Sequence, residues 1–146
     1  LAGLLHNFGH LLLGHLFKQE FLILNKFIAN EPERAVVDIE KEILGVDHTR
    51  IGAWLLKAWR LPAEIVVATR EHHNEYYQGP HAGHSPLVML SDLLLRQYDI
   101  NNEGPAEIPD SIMQMLELGE YQVATITRQV LDDCAGLDSM AMQLSA

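Results

Sequence analysis

Five of the eight histidines in this chain fall in three clusters, each in an apolar segment with helical patterning. His6 and His10 lie in LLHNFGH, His48 opens HTRIGAWLLKAW, and His72 and His73 close LPAEIVVATREHH. Neutral imidazole is a good ligand for zinc, iron, nickel or copper, so three such clusters on helices are the raw material of an interior metal site. Each cluster also has a plainer reading. His6 and His10, four residues apart, share one helix face, which equally suits a surface stripe or a hydrogen-bonded core pair. His72 and His73 point about 100° apart and can meet one ion only at a helix end or between packed helices. Otherwise one faces inward and the other caps terminal carbonyls. His48 follows Asp47, a good N-cap, and the positive helix end disfavours its protonation. It is a ligand or a surface residue. Asp92, among Leu87, Val88, Leu90, Leu93, Leu94 and Leu95, lies on an exposed stripe or is buried with a partner.

The elements that must position these residues are helical nearly throughout. Leu4, Leu5, Phe8, Leu11, Leu12 and Leu16 follow helical spacing and predict one helix from Leu1 to Phe17. Further helices are expected over Gln19–Ala29 and, after Pro32, over Glu33–Leu44, with Val36, Val37, Ile39, Ile43 and Leu44 inward and Gly45 as the stop. The next runs from Asp47 to about Trp59, burying Ile51, Trp54, Leu55 and Ala58. Pro62 suits the first turn of a helix reaching His72 or His73. Asn74–His84 reads as a loop, and Ser85-Pro86 as the opening of a helix to about Tyr98. A polar connection over Asp99–Pro109 leads to helices near Asp110–Leu118 and Tyr121–Cys134, and Asp138–Ala146 is a short helix or a frayed end. No alternating strand pattern, repeat, linker or sustained heptad is present, so the expectation is one all-α domain over residues 1–146.

Composition narrows the function. The chain has 146 residues, 48% apolar and 21% charged, as a globular domain requires. A net charge of −10 argues against nucleic acid or anionic membranes as partners, while leaving room for a small pocket for a phosphorylated ligand. The lone Cys134 fits a reducing cytoplasm, and no apolar run reaches the ~18 residues of a membrane span. The sequence opens at Leu1, already in an apolar pattern, and reads as an excerpt whose N-terminal part is missing. Cys134 and the methionines Met113, Met115, Met140 and Met142 are read as core filler or a soft surface, Trp54 and Trp59 as core and subunit-contact aromatics, and His81 and His84 as solvated. Phosphate-cradling glycine loops, CxxC pairs and nucleophile elbows are absent.

Taken together, the clusters resemble one family. LLHNFGH is similar to the HD-type helix motif, usually His-Asp-Ile-Gly-Lys. Glu40, Gly45, His48, Gly52, Ala53, Leu55, Trp59, Leu61, Pro62, His72 and His73 match the pattern of the HDOD domain, a divergent relative of the HD metal-dependent phosphohydrolases found in bacterial signalling proteins. The match covers about residues 1–92, with 93–146 fitting a helical tail. The resemblance implies a compact, HD-like helical bundle of about seven to eight helices. It also implies a divalent transition metal (manganese, iron, zinc or nickel) near His6, Asn7, His48, His72, His73 and Asp92. In active relatives the metal activates a water for attack on phosphorus. Asn7 replaces the doublet aspartate by a neutral, weak ligand that cannot bridge two ions. His10 replaces the usual lysine, and the Gly-Tyr-Pro tripeptide of the cyclic-dinucleotide-cleaving branch is missing. Three readings follow: a non-catalytic or weakly catalytic signalling module that binds a protein partner or small ligand, a metal-dependent phosphohydrolase with an altered ligand set, and a purely structural helical domain.

Overall fold

The structure is a computed structural model and describes residues 1–97 and 107–144, the side chains of 135–144 excepted. The described residues form α1 (Ala2–Leu5), α2 (Phe8–Leu16), α3 (Lys18–Asn30), α4 (Val36–Leu44), α5 (His48–Ala58), α6 (Ala63–Glu71), α7 (Ser85–Gln97), α8 (Asp110–Met115) and α9 (Glu120–Leu144). One 3-10 turn, Ala82–His84, leads directly into α7 within the segment expected to be loop. No strand occurs among the described residues, and the expected all-α bundle is what forms. No helix among them is long and apolar enough to cross a membrane.

The predicted helix over Leu1–Phe17 is two helices, broken at His6 and Asn7. Asn7 takes φ −94° and ψ 15°, a sparsely allowed conformation that interrupts the helix. The break lets α2 lie backbone to backbone on α5. A Cβ on Gly9 would stand 2.0 Å from the His48 carbonyl oxygen, and one on Gly52 would stand 3.2 Å from the Gly9 nitrogen. Only glycine permits this approach. The expected stripe is therefore not the buried one: Leu4, Leu11 and Leu16 are exposed, whereas Ala2, Gly9 and Leu13 are buried.

The face of α5 is offset in the same way. His48, Thr49, Gly52, Ala53 and Leu56 are buried, while Trp54 and Trp59 stay 61% and 54% exposed. The expectation of tryptophans in the core is thus corrected: small residues at the α2–α5 crossing turn the indoles outward. Helix ends follow their predicted signals more closely. Asp47 caps α5 by accepting from the Arg50 N–H at 2.9 Å, Gly45 ends α4 with φ 73°, and Pro62 precedes α6.

One core cluster gathers Ala2, Leu56, Ile65, Ala68 and Val88. A second, formed by Leu90, Ile112 and Val123, seats α8 and α9 against α7, with Met113 packed on it. Helix α9 runs unbroken to Leu144 rather than stopping near Cys134. Cys134 is exposed, not core, because it lies well beyond Val123, the residue that anchors this helix. Met115 is also exposed. Tyr98, residues 99–106 of the polar connection, and the side chains of Met140 and Met142 lie outside the described residues.

Candidate metal centre

Four elements converge on the histidines: the α1–α2 turn with His6 and Asn7, the interior of α4 with Glu40, the first residue of α5, His48, and the end of α6 with His72 and His73. Glu40 is the hub. Its side chain is fully buried, and both oxygens are engaged. Oε2 accepts from the His48 backbone N–H at 2.9 Å and from His48 Nδ1 at 2.7 Å. Oε1 accepts from His10 Nε2 at 2.5 Å. The His10 ring stacks on His48 with centroids 3.9 Å apart.

Burial alone would raise the Glu40 pKa, but hydrogen bonds from His10 and His48 outweigh it and hold the carboxyl at about 2. Glu40 is therefore an acceptor only, and His48 Nδ1 must carry the proton. His72 Nδ1 likewise donates to the Thr69 carbonyl at 2.8 Å, and His6 Nδ1 to the Gly3 carbonyl at 2.7 Å. With Nδ1 donating, the neutral form of each ring leaves its lone pair on Nε2. Desolvation holds His48 below its ordinary pKa and His72 well below it. His73 falls to about 4, through burial first and then the neighbouring His48. The lowered pKa values of His48, His72 and His73 favour their neutral forms at neutral pH.

The consequence is chemical. His48 Nε2 and His72 Nε2 face each other at 3.4 Å with no proton between them. Two buried lone pairs at that distance repel unless an electrophile sits between them. Two nitrogens, each 2.0–2.1 Å from one tetrahedral ion, would be about 3.4 Å apart. His6 Nε2 and Asn7 Oδ1 are also buried without a hydrogen-bond partner, and the His6 ring stands edge-on to His72 at 4.9 Å. His48, His72 and His73 can each offer one nitrogen within 4.8 Å of the others. The donor set fits one borderline or late transition metal, with Glu40 orienting His48 from behind.

The sequence profile of the HDOD domain matches residues 1–75. This chain belongs to the HDOD family. An uncharacterized protein of Treponema pallidum (strain Nichols) is 30% identical over 139 residues, which make up 90% of this HDOD chain and 25% of the relative. A candidate signal transduction protein of Marinobacter aquaeolei VT8, known from a crystal structure, is similar in fold with a TM-score of 0.85. Its identity is 29% over 100% of this chain and 32% of that one. The HDOD chain thus spans a quarter to a third of the length of these relatives.

Among the residues singled out in the sequence, the structure brings His48, His72 and His73 together and sets His6 against His72. Asn7 occupies the N-cap position of α2, yet its side chain caps nothing. Asp92 accepts from Arg96 Nη2 at 2.9 Å and Nε at 3.1 Å one turn along α7, both through Oδ2, and its charge acts on His73. His10 faces Glu40 and shares no helix with His6, because the break at Asn7 separates them. His81 and His84 are exposed, as expected. The residue that sequence reasoning passed over is Glu40, a pattern match given no role. Its signal was there: it lies in the middle of the inward stripe formed by Val36, Val37, Ile43 and Leu44, where a carboxylate needs a buried partner.

Proposed function

We propose that this HDOD domain is a non-hydrolytic signalling module that acts by binding a partner. In this reading its histidine centre holds a single transition-metal ion rather than a binuclear catalytic pair. The observation that carries the reading is Asn7, whose buried Oδ1 has no hydrogen-bond partner and stands where a metal-bridging carboxylate is expected. Glu40 is hydrogen-bonded through both oxygens to His10 and His48, Asp92 accepts from Arg96 through Oδ2, and Asn7 offers only a neutral amide. Hydrolytic two-metal sites need anionic bridges to hold two cations about 3.5–4 Å apart. The amide of Asn7 is no such bridge, and Glu40, the carboxylate within reach of His10 and His48, is already hydrogen-bonded to both.

The residues that would hold the ion are His48 and His72 through Nε2, with His6 or His73 completing the set. A bound ion would supply Lewis acidity, and it would tie the α1–α2 turn, α5 and α6 to one point. His10 and Glu40 fix the tautomer of His48, and Thr69 fixes that of His72. The similarity to a candidate signal transduction protein supports a signalling role.

The test is the metal content of tag-free protein beside an Asn7→Asp variant. The expected result is up to one equivalent of zinc, nickel or iron in the parent, and a second ion or tighter binding only with the added carboxylate. Two ions in the parent would overturn the reading. The alternative, a metal-dependent phosphohydrolase with an altered ligand set, draws on the facing Nε2 lone pairs and would then take its place.

A further inference from the structure

Helices α5 and α6 turn His48 and His72 inward. Their outer faces form a trough of about 520 Å³. One wall is Arg50, Trp54 and Lys57 of α5; the other includes Val66, Val67 and Arg70 of α6. Both stripes recur at three- and four-residue steps, so each wall is a single helix face. No residue of the trough belongs to the histidine centre.

Trp54 is the largest apolar group on this surface, 61% exposed on a rigid helix above the half-buried valines. The sign of the charge is also local. The chain has 20 acidic and 10 basic residues, yet three basic residues and no Asp or Glu line the trough. Arg50 and Lys57 form no ion pair among the described residues, and Arg70 meets only the adjacent Glu71 at 3.3 Å. Exposed tryptophan and unpaired arginine on a preformed surface are the composition of a binding hot spot.

We propose that this trough is the docking site for an acidic, amphipathic helix of a partner protein. Arg50 to Lys57 spans about two helical turns, ~10 Å. That length suits a helix laying apolar residues against Trp54, Val66 and Val67 and placing carboxylates near Arg50, Lys57 and Arg70. Three cations over two turns, in a chain of strongly negative net charge, are too few to hold a nucleic acid backbone. The proposal builds on the reading of a module that works through a partner and names the chemistry of that partner.

The experiment is a random-peptide display selection on the whole 146-residue chain, followed by titration of recovered peptides against the parent, Trp54→Ala and an Arg50→Glu/Lys57→Glu double variant. All three side chains are exposed, so the variants keep the parent's circular dichroism. The expected peptides are net acidic with aliphatic residues at helical spacing. They lose about tenfold or more in affinity for each variant and weaken as salt rises. Peptides without acidic enrichment, affinities unchanged in both variants, or a selection that recovers no trough-dependent binder would overturn the proposal. So would binding of a single-stranded RNA in preference to the peptides, lost on charge reversal. Metal content and phosphodiester turnover take no part in this readout, so failure here leaves the non-hydrolytic reading intact.

Discussion

Glu40→Gln is the sharpest probe of how the centre is built. Glu40 accepts three hydrogen bonds in a fully buried position. Glutamine keeps one acceptor oxygen and turns an NH2 toward a ring N–H that also donates. Leaving one buried donor unpaired costs about 1–3 kcal/mol. The pKa gives a second route: a fall from 4.5 to about 2 corresponds to roughly 3 kcal/mol in favour of the folded carboxylate. The two agree on about 3 kcal/mol, or roughly 6–12 °C in melting temperature for a domain of this size. The assay is urea and thermal unfolding of parent and variant, followed by circular dichroism, at neutral and acidic pH. Because the folded pKa lies below the unfolded one, the contribution of Glu40 is complete above about 4.5 and is lost as pH falls toward about 2. The gap between parent and variant should close over that window. A difference under about 0.5 kcal/mol at pH 7, or a gap that widens on acidification, would refute the hub role of Glu40.

Other expectations follow from the same geometry. Gly9→Ala drives a methyl group onto the His48 carbonyl and should cost about 3 kcal/mol or more in urea unfolding; an unchanged midpoint would contradict the close α2–α5 crossing. His73 and His72 are held below the ordinary histidine pKa of 6.5, His73 at about 4. The unfolded chain therefore takes up protons that the native one refuses, and stability should fall as pH drops from 6.5 toward 4. His73→Gln should flatten part of that slope, and an equal slope in both proteins would count against it. Trp59→Ala should cost only about 1 kcal/mol, because the ring is 54% exposed and meets Phe8 edge-on; a loss of about 3–5 kcal/mol in thermal unfolding would instead mark a buried ring.

Local signals carried most of the fold. Gly45, Asp47 and Pro62 each act where their backbone chemistry predicts, so the ends of α4, α5 and α6 were legible. Hydrophobic periodicity failed where glycine outranked leucine. The pattern around Leu4 and Leu11 asks for one continuous helix, but burying Gly9 and Gly52 against each other brings α2 closer to α5 than any leucine stripe allows. That crossing depends on two glycines 43 residues apart in sequence, and a search for apolar stripes does not register it. The same crossing explains why Trp54 faces outward. At the centre, the histidines were legible by type and spacing, whereas the fixed tautomers were not. They depend on the carbonyls of Gly3 and Thr69 and on a carboxylate from α4, partners that only the folded chain identifies.

On the proposed reading, the histidine centre with Asn7 in place of a bridging carboxylate does not hydrolyse phosphodiesters. This is tested most directly by turnover of bis(p-nitrophenyl) phosphate and of cyclic dinucleotides by tag-free protein loaded in turn with manganese, iron, zinc and nickel, beside a His72→Ala control. The expected result is no metal-dependent turnover above that control for any ion. Turnover that appears with one ion and disappears in His72→Ala would contradict it and make the centre an active phosphohydrolase site.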